Sequence, residues 1–203
     1  DIQTLGRYKT VSKLGEGGMG VVYEAIDTFL ERTVALKVAK ISAIGFSEQD
    51  KKKLEQCLKE ARHAAQFIHP NIVITYDAGI EKDLFYIALE YIDGKGLHEY
   101  SRKSGLLPQN RVLEIVYNTC YALDYIHRKG YLHLDIKPSN IMINKMGEVK
   151  LMDFGISRFL REEKKNNDRT KTIGIYGTPY YMSPEQANSN IILDHQTDIF
   201  ALG

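Results

Sequence analysis

The sequence predicts an α+β protein of two lobes. A five-stranded antiparallel sheet with one main helix is expected over residues 1–91, and a mainly helical lobe over 97–203. Three observations predict it. Five short runs rich in β-branched and aromatic residues fall before residue 92, with one helical pattern between the third and fourth. The connector IDGKG (92–96) then carries the turn residues of a hinge. Beyond it the apolar period is that of a helix, clearest over Asn110 to Lys129.

Composition narrows the class. A hydrophobic fraction of 43% over 203 residues is enough for a core, and 26% charged residues with a net charge of +1 is ordinary for a soluble protein. The near-neutral balance gives no argument for nucleic acid or a membrane surface as partner. Cys57 and Cys120 lie far apart in helical patterns and read as reduced core thiols in a cytoplasmic setting. The longest apolar run, LFYIALEYI, is far shorter than the roughly 20 residues of a membrane span. The six histidines show no zinc spacing, and no Gly-x-Ser-x-Gly signature is present.

In chain order, Tyr8 to Gly15 and Gly20 to Asp27 flank GEGGMG and read as a hairpin with a glycine-rich tip. Gly15, Gly17, Gly20 and Val22 fit G-x-G-x-x-G-x-V, a spacing that lets backbone N–H groups approach phosphate oxygens. A flexible hairpin turn is the commoner reading of such glycines. Their place between two strands disfavours a dinucleotide site of strand–helix type. The third strand, Thr33 to Ile41, carries Lys37 within VALK. Either it lies on the solvent face of an edge strand, or it is aimed at phosphates and held by a carboxylate. After a capping-box-like Ser47 and Asp50, Leu54, Leu58, Ala61, Ala65 and Ile68 repeat at helical spacing. Glu60 lies at the margin of that face and offers the carboxylate. His69-Pro70-Asn71 ends the helix. Strands Ile72 to Gly79 and Leu84 to Tyr91 complete the sheet.

The second lobe opens with a short helix, Leu97 to Lys103. The long one, Asn110 to Lys129, should set Val112, Val116, Thr119, Leu123 and Ile126 on its core face. The stretch from Tyr131 to Gly155 organises the rest. Its runs IMI and VKLM, separated by NKMGE, read as a β-hairpin whose mouth brings Asn140 and Asp153 together. Two oxygen-bearing side chains there suit a hard cation such as Mg²⁺. Asp135 is near enough to take a proton from a hydroxyl, and Lys137 to neutralise a transferring group. Those are the parts of a phosphoryl-transfer site. Residues 156–172 are polar and without periodicity, a loop with Ser157, Thr170 and Thr172 as candidates for modification.

Together these motifs resemble the protein kinase family over nearly the whole chain: glycine loop, VALK, inward Glu, H-x-D-x-K-x-x-N, DFG and an APE-like SPE, in order. GEGGMGVVYEA, HPNIV, DIKPSNIMI and YMSPEQA are similar to eukaryotic-like serine/threonine kinases of bacteria. The resemblance implies a protein kinase-like fold with an N-lobe over 1–91, a hinge at 92–96 and a partial C-lobe. It implies ATP and Mg²⁺ as cofactors, and protein substrates bearing serine or threonine. Lys37 would hold the α/β-phosphates with Glu60 orienting it. Asp135 and Lys137 would serve the transfer, and Asn140 and Asp153 would bind Mg²⁺. Leu14, Gly15, Gly17, Gly20 and Val22 would line the nucleotide, with Ala35 and Met142 around the adenine and Glu90 and Ile92 meeting its edge through their backbone. His133, Phe154 and Ala64 would belong to an apolar spine pinned by Asp198. Thr178 would brace Asp135 and Lys137.

Two departures from the family pattern matter. Leu134 stands where the family usually has arginine before the catalytic aspartate, so a loop phosphate loses its main expected partner. The helical lobe also stops at Gly203, short of the family's usual length; exposed apolar surface there would favour self-association, and a membrane anchor could lie elsewhere in a longer parent. The alternative readings are an inactive nucleotide-binding pseudokinase or scaffold, and a small-molecule kinase. Retention of Lys37, Asp135 and Asp153 opposes the first, and the SPE segment the second.

Overall fold

The computed structural model describes residues 2–17, 20–40, 58–59, 61–101, 105–153, 179–187 and 193–203. The chain divides into two compact units, Asp1–Ile68 with Ile74–Tyr91, and His69–Val73 with Ile92–Gly203.

The first unit is built on an antiparallel sheet of order β1-β2-β3-β4-β6-β5. Its strands are β1 (Thr4–Leu5), β2 (Tyr8–Gly17), β3 (Gly20–Asp27), β4 (Arg32–Lys40), β5 (Thr75–Glu81) and β6 (Leu84–Glu90). The five expected strands are present, and β1 adds a two-residue edge by pairing Thr4 and Leu5 with Lys9 and Tyr8. Alternation along β4 sends Val34, Leu36 and Val38 into a core with Leu5, Tyr8, Tyr23, Ala25 and Ala88. Lys37 and Ala35 therefore lie on the other face. Helical residues are described at 58–59 and 61–64. Their buried face is Ala61, Ala64 and Phe67, whereas Ala65 is exposed and Ile68 is 77% exposed, which corrects the expected Ala61–Ala65–Ile68 row. The last turn tightens, with Gln66 and Phe67 donating to carbonyls three residues back, and this rotates Phe67 inward and Ile68 out.

The expected strand from Ile72 also begins later. Ile72 bridges Leu151 in parallel, Val73 N–H donates to Leu151 O, and Leu151 N–H donates to Asn71 O. Residues His69–Val73 thus belong to the second unit. There the His69 ring packs on Tyr121 and Tyr125, at 4.6 and 5.1 Å between ring centroids.

In the second unit β7 (Gly94–Gly96), β8 (Ile141–Asn144) and β9 (Val149–Leu151) form an antiparallel sheet of that order. The connector 92–96 is therefore partly a strand rather than a turn alone, because Gly94–Gly96 finds backbone partners in Met142–Asn144. Leu97–Ser101 is a 3₁₀ turn, followed by helix α1 (Gln109–Arg128). The core face of α1 is Ile115, Thr119, Ala122, Leu123 and Ile126; Val112, expected inside, is 45% exposed. Gly130 stops the helix at φ +79, with Tyr131 N–H reaching Ile126 O and Gly130 N–H reaching His127 O. Two short elements complete the described part, α2 (Pro184–Ala187) and α3 (His195–Leu202), the latter capped by the Asp194 side chain on Gln196 N–H. Among the described residues no helix is long and apolar enough to cross a membrane.

Candidate functional site

The candidate residues divide between the two units. In the first, register places Gly15 opposite Val22, Val22 opposite Lys37, and Lys37 opposite Ile87. Directly paired residues share a face, so these form one row across the sheet, with Ala35 two positions along β4 on the same face. Lys37 is only 8% exposed, which its charge does not tolerate without an anionic partner. Leu14 sits at an irregularity of the β2–β3 ladder and is 47% exposed. At the tip Gly17 pairs with Gly20. Gly20 has φ +118, and a Cβ there would stand 2.0 Å from Val38 O, so the fold itself demands glycine. Gly15 and Gly17 differ: among the described residues, a Cβ at either meets no atom within 4 Å. At the end of β6, Glu90 N–H donates to Ile74 O at 2.8 Å and its carboxylate accepts Ile74 N–H at 3.1 Å.

In the second unit, Asp135, Lys137 and Asn140 are assembled by one loop. Lys137 Nζ lies 2.8 Å from Asp135 Oδ2. Asn140 Nδ2 donates to Asp135 O at 2.8 Å and to Asp135 Oδ2 at 3.0 Å. Both side chains of the ion pair are largely buried, at 12% and 10% exposure, so the carboxylate is held rather than free to rotate. The hairpin then does what its sequence pattern predicts. Ile141 pairs with Leu151, and Met152 N–H donates to Asn140 O at 2.9 Å, which leaves Asp153 one residue beyond Asn140's partner. Met142 lies on β8 between Gly96 and Lys150. Ile92 is half-buried at the start of the unit's longer stretch.

Two non-glycine residues of this loop system adopt left-handed backbone, Leu134 at φ +62 and Asp153 at φ +64. Such conformations cost about 1–3 kcal/mol each and persist only where the surroundings fix them. At Leu134 the fixing groups are visible. Asp198, 1% exposed, accepts His133 N–H at 2.8 Å on Oδ2 and Leu134 N–H at 2.7 Å on Oδ1. His127 Nε2 is also 2.8 Å from Asp198 Oδ2. The fully buried His133 accepts Asp135 N–H on Nδ1 at 3.3 Å, and its Nε2 lies 3.0 Å from Met152 O. That pattern requires the neutral ring with its proton on Nε2. Burial pushes the imidazole below its usual range, against the opposing pull of Asp198.

Sequence reasoning missed three contributors. Gln186 Nε2 donates to Leu134 O at 3.1 Å. Thr197 donates its hydroxyl to Glu185 Oε1 at 2.8 Å, and Glu185 is held below the usual carboxylate range by its own backbone N–H and by this hydroxyl. His127 had no signal beyond its place on the last turn of a helix. Ser183-x-x-Gln186 does match the capping-box pattern and could have been read from sequence. Glu60, Phe154, Thr178 and the loop hydroxyls of Ser157, Thr170 and Thr172 lie outside the described residues.

Comparison with known proteins gives a consistent result. The protein kinase domain family matches residues 8–203. The chain is 39% identical over 207 residues to the probable serine/threonine-protein kinase PknB of Bifidobacterium longum, covering 98% of this chain and 29% of that protein. It is 37% identical over 198 residues to the serine/threonine-protein kinase PrkC of Bacillus subtilis, with the same two coverages. It thus spans under a third of the length of these relatives. The crystal structure of the Mycobacterium tuberculosis PknI kinase domain superposes with a TM-score of 0.73 at 29% identity, covering 98% of this chain and 72% of that one.

Proposed function

The chain belongs to the protein kinase family, and from that premise we propose that it transfers the γ-phosphate of ATP to serine or threonine hydroxyls of protein substrates, its own included. The observation that carries this is the Asp135–Lys137–Asn140 assembly. A mostly buried carboxylate, fixed by an ammonium and an amide, is poised to take one proton from an incoming hydroxyl. The hydroxyl oxygen forms a bond to the γ-phosphorus as the bond to the β–γ bridging oxygen breaks. The proton passes to Asp135, and ADP leaves with the bridging oxygen. Lys137 would balance charge on the transferring group, and Lys37 would hold the α/β-phosphates. Little covalent work falls to the protein, so positioning supplies most of the acceleration.

The residues present fit a hard divalent cation. Asn140 directs its amide nitrogen at Asp135, which leaves Oδ1 as the acceptor for a metal, and Asp153 would supply the second oxygen ligand. An all-oxygen pair suits Mg²⁺, which when bound neutralises developing charge on the phosphates. On the nucleotide side, glycine at 15 and 17 answers no packing need among the described residues, as a backbone reserved for phosphate oxygens would. In the first unit Ala35, Val22 and Leu14 would face the base and Glu90 O its edge; in the second, Met142 and the Ile92 backbone are the positions that would serve the nucleotide. Glu90 N–H is committed to Ile74.

The test is transfer of labelled γ-phosphate from ATP to the chain and to a generic basic protein, beside Asp135→Asn and Lys37→Ala. Transfer that falls by at least about 10²-fold in both variants supports the assignment. Equal transfer in Asp135→Asn overturns it.

A further inference from the structure

Leu134 O and Asp135 N belong to one peptide unit, and such units are planar. Whatever fixes that plane fixes the direction in which the Asp135 side chain leaves the backbone. At one edge of the plane Asp135 N–H rests on His133 Nδ1 at 3.3 Å, a long contact. At the other, Leu134 O accepts from Gln186 Nε2 at 3.1 Å. Gln186 is itself held. Its Oε1 accepts Ser183 N–H at 3.1 Å while its own N–H donates to Ser183 Oγ at 3.3 Å, a reciprocal cap on the short helix α2. Ser183 is fully buried. A side-chain amide therefore reaches 52 residues back along the sequence, from the SPEQ turn to the carbonyl that precedes the catalytic aspartate.

We infer that Gln186 is a positioning residue for Asp135: its amide holds the strained Leu134–Asp135 peptide in the orientation that aims the carboxylate. Resting on the transferase reading above, the inference adds a structural element to it. Leu134 carries no polar side chain to fix its own backbone, so the two peptides that flank it are held from outside, the preceding one by Asp198 at the Leu134 amide and the Leu134–Asp135 one by Gln186 at the Leu134 carbonyl. The arrangement also links the SPEQ turn to the reacting carboxylate, so that disorder in the turn lowers the rate without touching nucleotide affinity.

Two substitutions separate this role from simple capping. Gln186→Glu keeps an oxygen for Ser183 N–H, and so keeps the cap, but loses the donor to Leu134 O. Gln186→Leu loses both. Both are expected to lower kcat by about tenfold or more, since a displacement of about 1 Å costs on the order of 10²-fold. KM for ATP should stay within about twofold, and the melting temperature of Gln186→Glu should match that of the unaltered chain. Hydrogen exchange over residues 131–141 gives a readout independent of transfer. Faster exchange in both variants is expected, and unchanged exchange overturns the inference even if the chain proves inactive. An unaltered kcat in Gln186→Glu, or losses only in Gln186→Leu with melting temperature falling in step, also overturns it by leaving a cap alone. Absence of transfer in the unaltered chain would instead refute the transferase reading.

Discussion

Asp198→Asn is the most demanding perturbation of the loop, because it changes one atom and no volume. The carboxylate accepts two backbone amides, one on each oxygen, at 2.8 and 2.7 Å. An asparagine offers one oxygen and an NH₂ group. One of the two N–H groups must then face another donor in a site only 1% exposed. Losing a charge-assisted hydrogen bond costs about 1.5–3 kcal/mol, and the orphaned amide sets the upper part of that range. Part is recovered as Leu134 relaxes from φ +62, which releases some of the about 1–3 kcal/mol stored there. A net stability loss of about 1–2 kcal/mol follows. That relaxation turns the peptide next to Asp135, so kcat should fall by about 10²-fold with KM for ATP little changed. Urea unfolding at constant m-value measures the first quantity and steady-state transfer the second. A stability loss below about 0.5 kcal/mol together with a kcat within about threefold of the parent would refute the reasoning, because the two amides would then not depend on the charge.

The glycine loop gives a second contrast. Gly20→Ala forces a Cβ into Val38 O and should lower the melting temperature by at least about 4 °C, whereas Gly17→Ala should leave it within about 1 °C and raise KM for ATP instead. Equal thermal effects would show the two glycines to be equivalent. Stability should also fall with acid. Above about pH 6.5 folded and unfolded chains both carry neutral His133, but below it the unfolded chain binds a proton that the buried ring refuses. His133→Gln, which keeps a donor for Met152 O, should flatten the pH 6.5–5 limb of a melting-temperature profile; an unchanged limb assigns it elsewhere. Finally, Leu134 has no charge for a loop phosphate, so Thr170→Ala with Thr172→Ala should retain near-normal transfer. A loss above about tenfold, ~1.4 kcal/mol, would contradict that.

Much of the fold was legible because local pattern and tertiary environment agree there. Lys37 within VALK, the IMI and VKLM runs and the helical period of Asn110 to Lys129 all declare their structure through spacing. The errors share a different cause. Ile72 to Gly79 reads as one strand, yet its first residues pair with Leu151, and no periodicity encodes which partner an apolar run will choose. Val112 fits the helical stripe, but the stripe is wide and the packed face is rotated toward Ile115 and Ala122. Gly94–Gly96 carries turn residues and nevertheless pairs with β8, since a strand three residues long needs only accessible backbone. Within the site, the residues that touch one another through a short loop, Asp135, Lys137 and Asn140, were readable. Those that act from afar, Asp198 through two amides and Gln186 through one carbonyl, need the tertiary structure. Only the first of these carried a family pattern to name it.

The strip His69–Val73 bears on how the chain is made. Its hydrogen bonds join Asn71 to Leu151 and Val149, and Val73 to Leu151, while the residues before and after it belong to the first unit. During synthesis at about 5–20 residues per second, Leu151 leaves the ribosome about 4–16 s after Ile72. For that interval the buried side chains of Ile72 and Val73 have no β9 to meet, although β5 and β6 follow them within 17 residues and complete the first sheet early in it. The nascent chain therefore carries a short apolar segment in waiting, and the β8–β9 hairpin is the event that ends its exposure. Substitutions that slow formation of the hairpin's turn at Asn144–Glu148 should accordingly lower soluble yield in the cell more than they lower the equilibrium stability of the finished protein.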